Sequence, residues 1–148
     1  MTVYLDTSSL VKLYVVEPGS EDVQRLVDEA AVVATSTLAY PEARAAFARR
    51  RRERALRPGA FQSVRRAFDA EWSTYATIEA TSQLCGEAGE LADRYRLRGY
   101  DGVHLASFAE LARRAGPSTV RFSSFDDALN RAARSLRRRL ARPHRSPA

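Results

Sequence analysis

The chain has 148 residues, of which 45% are hydrophobic and 28% are charged. This length fits one domain with a substantial buried core, and the mixing of apolar and charged residues excludes a wholly disordered chain. The longest uninterrupted apolar stretches are only a few residues, whereas a membrane helix needs about twenty, so no membrane span is expected. The single cysteine, Cys85, excludes an internal disulfide and a cysteine-based metal site.

The charge balance is basic, with a formal net charge of +6, and all but one of the 24 basic residues are arginine. A general compositional bias explains the excess of arginine over lysine as well as a functional role does. The positive sign still favours an acidic partner, either a nucleic acid or an acidic protein. The first residues lack the basic start and apolar segment of a secretory signal, so a cytoplasmic location is expected.

Short apolar runs alternate with amphipathic helical patterns along the chain. The runs predict four strands, at residues 3–5, 31–35, 75–78 and 119–122. Helices are predicted to begin near residues 8, 20, 37, 60, 81, 101 and 126, and the last one continues to about residue 136. Strands separated by helices indicate an α/β protein with a parallel sheet covered on both faces.

Four carboxylates lie where such a fold gathers its functional groups. Asp6 ends the first strand, and Asp126 follows the fourth. Glu42 lies near the start of the helix after the second strand, and Asp101 is predicted to head a helix. Because ligands bind at the carboxyl ends of parallel strands, we expect these four side chains near one edge of the sheet.

Each carboxylate also has an ordinary structural interpretation. Asp101 and Asp126 occupy positions typical of helix N-caps, and Glu42 is typical of an exposed carboxylate that complements the helix dipole. Asp6 is different, because a carboxylate at the end of an apolar strand is costly to bury unless it is paired or bound to a metal. Clustered carboxylates repel one another unless a cation neutralises them, and their hard oxygens suit Mg²⁺ or Mn²⁺. The group therefore predicts a site for phosphodiester chemistry.

Four segments in order resemble the motifs of PIN-domain ribonucleases, and especially the VapC-type toxins of bacterial and archaeal toxin–antitoxin pairs. The resemblance extends from residue 2 to about residue 135, and four ordered motifs are far more specific than one. The segments are LDTSSLVKLY at 5–14, STLAYPE at 36–42, LRGYDGVHLA at 97–106 and FSSFDDAL at 122–129.

The resemblance implies a three-layer α/β/α PIN-like fold with a central parallel sheet of about four or five strands. It also implies endonucleolytic hydrolysis of RNA that leaves 5′-phosphate and 3′-hydroxyl ends. Asp6, Glu42, Asp101 and Asp126 match the family's acidic quartet, as catalytic residues that bind Mg²⁺ or Mn²⁺ and orient the attacking water. The implied partners are RNA, a cognate VapB-like antitoxin and a second copy of the chain in a homodimer, with no membrane.

The resemblance assigns further residues around this quartet. Thr7 or Ser8 is expected to hydrogen-bond a metal ligand or a phosphate oxygen, Asp127 to start a helix, and His104 to be mainly structural. The family's fifth strand is not evident in the sequence. We therefore predict a nuclease domain over residues 1–138 and a basic, flexible tail over residues 139–148. The tail and Arg49–Arg52 are candidate RNA contacts, although charge runs are more often solvated surface.

Other classes fit the sequence less well. A haloacid-dehalogenase-like phosphatase needs an aspartate two residues after the first, where this chain has Ser8. A receiver domain needs a lysine after its last strand, but Lys12 is the only lysine, and the chain has no P-loop. The alternative that stays open is a catalytically degenerate PIN module that binds RNA or a protein partner without cleavage.

Overall fold

The structure, a computed structural model, describes residues 1–142 and has three layers. In this part of the chain four parallel strands form one sheet in the order β3-β2-β1-β4, flanked by seven α-helices and one short 3₁₀ helix at Trp72–Thr74. The strands are β1 (Thr2–Leu5), β2 (Val32–Ser36), β3 (Ala76–Ile78) and β4 (Val120–Ser123). The helices are α1 (Thr7–Val11), α2 (Ser20–Asp28), α3 (Ala39–Arg52), α4 (Pro58–Glu71), α5 (Ser82–Tyr95), α6 (Gly99–Ala115) and α7 (Asp127–Leu140).

The central strand β1 divides the core into two halves. Val3 and Leu5 belong to the cluster that packs with α1 to α4, whereas Tyr4 belongs to the cluster that packs with α5 to α7. All three side chains are fully buried, as the alternation of a strand between two covered faces requires. The predicted three-layer α/β/α fold with a central parallel sheet is thus confirmed, and residues 1–142 contribute four strands where about four or five were expected.

The start of α6, which carries one predicted site residue, is fixed by a close helix–helix contact. Gly102 lies against α5, where a Cβ atom at this position would come within 2.6 Å of the Ala88 carbonyl oxygen. Only glycine allows the two backbones to approach this closely without a shift. The first turn of α6 is therefore held in one place relative to α5.

Several boundaries differ from the sequence-based expectations, by one residue at the strands and by more at some helices. Helix α3 begins at Ala39 rather than near residue 37, with Pro41 still in its first turn. Helix α6 begins at Gly99, because Arg98 has the extended backbone of the cap position, so Asp101 lies in the first turn and is not the N-cap. Helix α7 continues to Leu140, because buried residues such as Leu136 anchor it and arginines in its last turn complement the helix dipole.

The predicted C-terminal tail is described only in part. Arg139 and Leu140 lie within α7, and residues 143–148 of the predicted tail lie outside the described residues. Residues 1–142 contain no fifth strand. None of the helices in this range combines the length and the apolar character needed to cross a bilayer.

Candidate active site

A cleft of about 860 Å³ at the carboxyl edge of the sheet is lined by all four predicted carboxylates. They come from four places in the chain: Asp6 follows β1, Glu42 lies on α3, Asp101 lies on α6, and Asp126 precedes α7. The expectation that the parallel sheet brings these side chains to one edge agrees with this placement.

Asp6 is the most buried of the four, with 4% of its surface exposed. One oxygen, Oδ1, accepts hydrogen bonds from Ser8 Oγ at 2.7 Å and from the Ser9 backbone N–H at 3.0 Å, which makes Asp6 the N-cap of α1. The other oxygen, Oδ2, accepts from Ser124 Oγ at 2.6 Å. Burial raises the pKa of Asp6, and neighbouring His104 and these hydrogen bonds offset only part of that effect. The carboxylate is therefore held firmly in an environment that disfavours its charge.

Glu42 is joined to the core by a chain of hydrogen bonds. Its Oε1 accepts from Thr7 Oγ1 at 2.7 Å and lies 2.8 Å from His104 Nε2. The other ring nitrogen, Nδ1 of His104, lies 2.9 Å from the Tyr4 hydroxyl. Burial alone raises the pKa of Glu42, but the hydrogen bonds from His104 and Thr7, with the charges of His104 and Arg98, outweigh it and lower that pKa.

The hydrogen-bond chain has a preferred direction. Burial raises the pKa of Tyr4, so its hydroxyl keeps its hydrogen. An ionised Glu42 can only accept, so His104 donates from Nε2. The Nδ1 atom accepts from Tyr4 when the ring is neutral and donates to the Tyr4 hydroxyl oxygen when the ring is charged. Because Tyr4 and His104 are 0% and 2% exposed, this chain fixes the Glu42 carboxylate from inside the protein.

Asp101 and Asp126 are held by local contacts instead. Asp101 Oδ2 accepts from Arg98 Nε at 3.1 Å, and the Arg98 side chain is 78% exposed. Asp126 Oδ1 accepts from the Leu129 N–H at 2.8 Å, so it is the N-cap of α7, as one interpretation predicted. Both carboxylates thus have partners that a ligand could replace at small cost.

The donor set fits a hard divalent cation by its chemistry. Four carboxylates share one cleft, and Asp6 is buried with a raised pKa that a nearby cation would lower. Within residues 1–142, however, no three acidic, histidine or cysteine side chains are close enough together to form a metal site. The cleft therefore holds the four candidate ligands without a preassembled coordination sphere.

The rim of the same cleft is basic. Lys12 Nζ and Arg50 both bind the Glu17 carboxylate, at 2.9 and 3.0 Å, so one carboxylate neutralises part of this charge. Arg49 and Arg52 also line the cleft and are exposed. Exposed arginines at the rim of an acidic cleft can bind those phosphates of a polyanion that lie beyond the carboxylates.

The sequence points to some of these residues and not to others. Thr7 and Ser8 each donate to a quartet carboxylate, as expected of one or the other, and Asp127 begins α7 as expected. The role of Tyr4 was missed, although strand alternation places it on the same face as Asp6. Ser124 was also missed; it donates to Asp6 and accepts from the Asp126 N–H at 3.0 Å.

Comparison with known proteins identifies the class. A family model for the PIN domain matches residues 3–135. Ribonuclease VapC45 of Mycobacterium tuberculosis (strain CDC 1551 / Oshkosh) is 39% identical over 105 residues, 71% of this chain and 73% of the relative. Ribonuclease VapC49 of strain ATCC 25618 / H37Rv gives the same values. Ribonuclease VapC46 of that strain is 30% identical over 134 residues, 90% of this chain and 92% of the relative. The chain belongs to the PIN domain family and is of the VapC type.

Proposed function

We propose that this protein is a metal-dependent endoribonuclease that acts as the toxin of a VapBC-type toxin–antitoxin system. The observation that carries the proposal is the meeting of four carboxylates, from four separate elements, in one cleft with a basic rim. The names of the relatives, all ribonucleases VapC, support the reaction class. Neither observation favours the alternative of a PIN module that binds without cleaving.

Asp6, Glu42, Asp101 and Asp126 would hold Mg²⁺ or Mn²⁺ in this cleft. A bound divalent cation supplies Lewis-acid polarisation of the scissile phosphodiester and makes water at the site more acidic. The protein supplies the placement: the fold fixes Asp6 and Glu42, while Asp101 would give up its contact with the exposed Arg98 to bind the cation. Family membership implies a divalent metal in general, and the choice of Mg²⁺ or Mn²⁺ is part of the proposal.

Glu42 is the residue best placed to orient the attacking water. Within residues 1–142, the Glu42 side chain receives hydrogen bonds from Thr7 and His104, and both of them end on Oε1. Oε2 is thus the oxygen left to interact with water or metal. Because the pKa of Glu42 is lowered, this oxygen is ionised and accepts hydrogen bonds at neutral pH. In this role Glu42 would orient the nucleophile, and the cation and the basic rim would neutralise the charge of the phosphate.

The reaction is tested with purified protein and single-stranded RNA in Mg²⁺, in Mn²⁺ and in EDTA. We expect cleavage that needs the metal and leaves 5′-phosphate ends. Asp101→Asn is the informative variant, because it removes one ligand charge at a half-buried position without disturbing the core. It should abolish cleavage and largely keep RNA binding. Undiminished cleavage by Asp101→Asn, or cleavage in EDTA, would contradict the metal-nuclease mechanism.

The site itself is tested by soaking crystals in concentrated Mn²⁺ and recording anomalous scattering. We expect a peak coordinated by Asp6 with Asp101 or Asp126, and with Glu42 nearby. The degenerate binding module would be favoured by a cleft without a peak, in which the carboxylates stay apart and Asp126 still accepts from the Leu129 N–H.

The partners complete the proposal. A cognate VapB-like antitoxin would neutralise the toxin in the cytoplasm, where both the antitoxin and the RNA are made, and the toxin would form a homodimer. Co-expression with the product of the adjacent open reading frame should restore growth. An adjacent product that does not bind would count against the antitoxin, and light scattering that shows only monomer would remove the homodimer.

A further inference from the structure

Two exposed aromatic rings stand out from all others in the chain. Among six tyrosines, six phenylalanines and one tryptophan, only Tyr100 and Phe125 are exposed, at 63% and 47%. Every other aromatic side chain is buried or partly buried. A single exposed ring needs no explanation, but two in the same cleft form a surface that a ligand can use.

Both rings line the carboxylate cleft, and each directly precedes a member of the quartet. Tyr100 is followed by Asp101 at the start of α6, and Phe125 is followed by Asp126 before α7. Consecutive Cα atoms are about 3.8 Å apart, so each ring is attached beside a carboxylate. A nucleotide whose phosphate reaches these carboxylates therefore brings its base near one of the rings.

The Phe125 ring is held in position before any ligand binds. Its backbone N–H donates to Ser8 Oγ at 2.9 Å, and Ser8 in turn donates to Asp6. Lys12 Nζ lies 4.4 Å from the ring centroid, and Gly19, with φ of +93°, lies so close that a Cβ there would overlap the ring. Such pre-positioning reduces the entropy lost on binding.

The Tyr100 ring is carried by an equally well-fixed backbone. It lies in the first turn of α6, where Gly102 packs tightly against α5 and its N–H donates to the Arg98 carbonyl at 3.0 Å. Two exposed arginines, Arg49 and Arg52, line the same cleft as the rings. Aromatic faces combined with a cationic groove are the combination that binds single-stranded nucleic acid.

We propose that Tyr100 and Phe125 are stacking platforms for unpaired RNA bases next to the cleaved phosphodiester. This inference rests on the proposed ribonuclease function and assigns two residues to the choice of substrate. In a duplex the base faces already stack on one another, so only an unpaired or splayed base can use these rings. The platforms thus select the part of a folded RNA that enters the cleft.

The test measures binding of a short single-stranded RNA of mixed sequence that carries the fluorescent base 2-aminopurine. The Asp101→Asn background, which is expected to abolish cleavage, keeps the RNA intact, so binding is read independently of cleavage. Tyr100→Ala and Phe125→Ala should each weaken binding about 5- to 150-fold and relieve the quenching of the stacked fluorophore. Tyr100→Phe and Phe125→Tyr keep an aromatic face and should bind within about twofold of the parent.

The matched controls separate stacking from folding and from charge. Val16→Ala removes an apolar side chain that is 97% exposed and does not line the cleft, and it should change nothing. A duplex of the same RNA should bind equally well to the parent and to the alanine variants. Thermal melting of each variant checks that the fold is intact.

Unchanged affinity and quenching in both alanine variants would overturn the stacking role, even if the wild-type protein cleaves RNA. The same holds if those variants lose only the binding of a protein partner, because the rings would then belong to a protein interface. The opposite outcome is also distinguishable. If the wild-type protein fails to cleave RNA in Mg²⁺ or Mn²⁺, but the alanine variants bind RNA more weakly, the stacking role is supported and the proposed nuclease function is contradicted.

Discussion

The carboxylate cleft has two sides that are built in different ways. The strand side is the pair beside the end of β1, namely Asp6 and Glu42, which lies on α3 and accepts a hydrogen bond from Thr7. Besides its local partners Ser8 and Ser9, Asp6 accepts from Ser124, 118 residues away, and Glu42 has His104, 62 residues away, as a partner. On the helix side, Asp101 pairs with a residue three positions away, and Asp126 does the same with the Leu129 N–H. The first pair is fixed by the fold, and the second by local contacts.

One site thus combines two rigid carboxylates, Asp6 and Glu42, with two that can change partners, Asp101 and Asp126. Groups that must keep a set orientation gain from buried, hydrogen-bonded support. Groups that bind and release a cation gain from partners that cost little to give up, such as the exposed Arg98 or a backbone N–H. Substitutions on the strand side should therefore alter stability and metal binding together. Those on the helix side should cost little stability at Arg98 and Asp101, and about 1 kcal/mol at Asp126, where a helix cap is lost.

The largest effect is expected from His104→Ala. The change leaves a cavity at a position that is 2% exposed and removes the partner of both Tyr4 and Glu42. We expect a loss of about 3 kcal/mol in the free energy of unfolding, measured with urea, and about 10- to 100-fold weaker Mn²⁺ binding by calorimetry. A loss below about 0.5 kcal/mol, the usual range for surface changes, would refute the claim that this chain supports Glu42.

Asp6→Asn should stabilise the metal-free protein by about 1 kcal/mol at neutral pH, while it abolishes cleavage. Burial raises the pKa of Asp6 above its ordinary value of 3.8. The wild-type protein therefore loses stability as the pH rises from that ordinary value through the raised pKa of the folded state, and the variant does not. Thermal melting in EDTA at several pH values measures the gap between the two proteins. Added Mn²⁺ should close it by stabilising only the wild type, and a gap that narrows with rising pH would contradict the argument.

Thr7→Val preserves the side-chain shape and removes the hydroxyl that donates to Glu42 Oε1. We expect a loss of about 1 kcal/mol at neutral pH. Because the pKa of Glu42 is lowered from its ordinary value of 4.5, this contribution is present above that value and disappears as the pH falls through the folded-state pKa. Chemical unfolding of both proteins at neutral and acidic pH measures this pH dependence. A stability difference between wild type and variant that grows as the pH falls would contradict it.

The smallest effect is expected on the helix side, from Arg98→Ala. The ion pair with Asp101 spans three residues, and Arg98 is 78% exposed, so its loss should change stability by less than about 0.5 kcal/mol. Mn²⁺ affinity should stay the same or increase, because a competing cation is removed from Asp101. A clear loss of Mn²⁺ affinity would show that Arg98 helps to position Asp101 for the metal rather than competing with the metal for it.

The same contrast explains how much could be predicted from the sequence. Strand ends and helix starts are local patterns, so the sheet, its four strands and the positions of Asp6, Glu42, Asp101 and Asp126 could be placed in advance. The hydrogen-bond chain from Tyr4 through His104 to Glu42 could not, because it joins residues up to 100 positions apart with no shared local signal.

Two further differences arise from local competition that the pattern does not resolve. The run of arginines after Leu136 is typical of a solvated tail, yet it continues α7 because the same helix already has a buried face. Asp101 looked like a cap because aspartate favours that position, but the tight packing of Gly102 is compatible with a helix that starts two residues earlier.

The central place of β1 has a consequence for how the protein opens. Its residues pair with β2 on one side and with β4 on the other, and Asp6 follows directly on that strand. Strand β3, by contrast, is three residues long, lies at the sheet edge and has two exposed residues. Amide hydrogens of β1 should therefore exchange with solvent only through global unfolding, while those of β3 exchange through local fluctuations. The slowest-exchanging amides of the chain would then report directly on the strand that carries the deepest carboxylate.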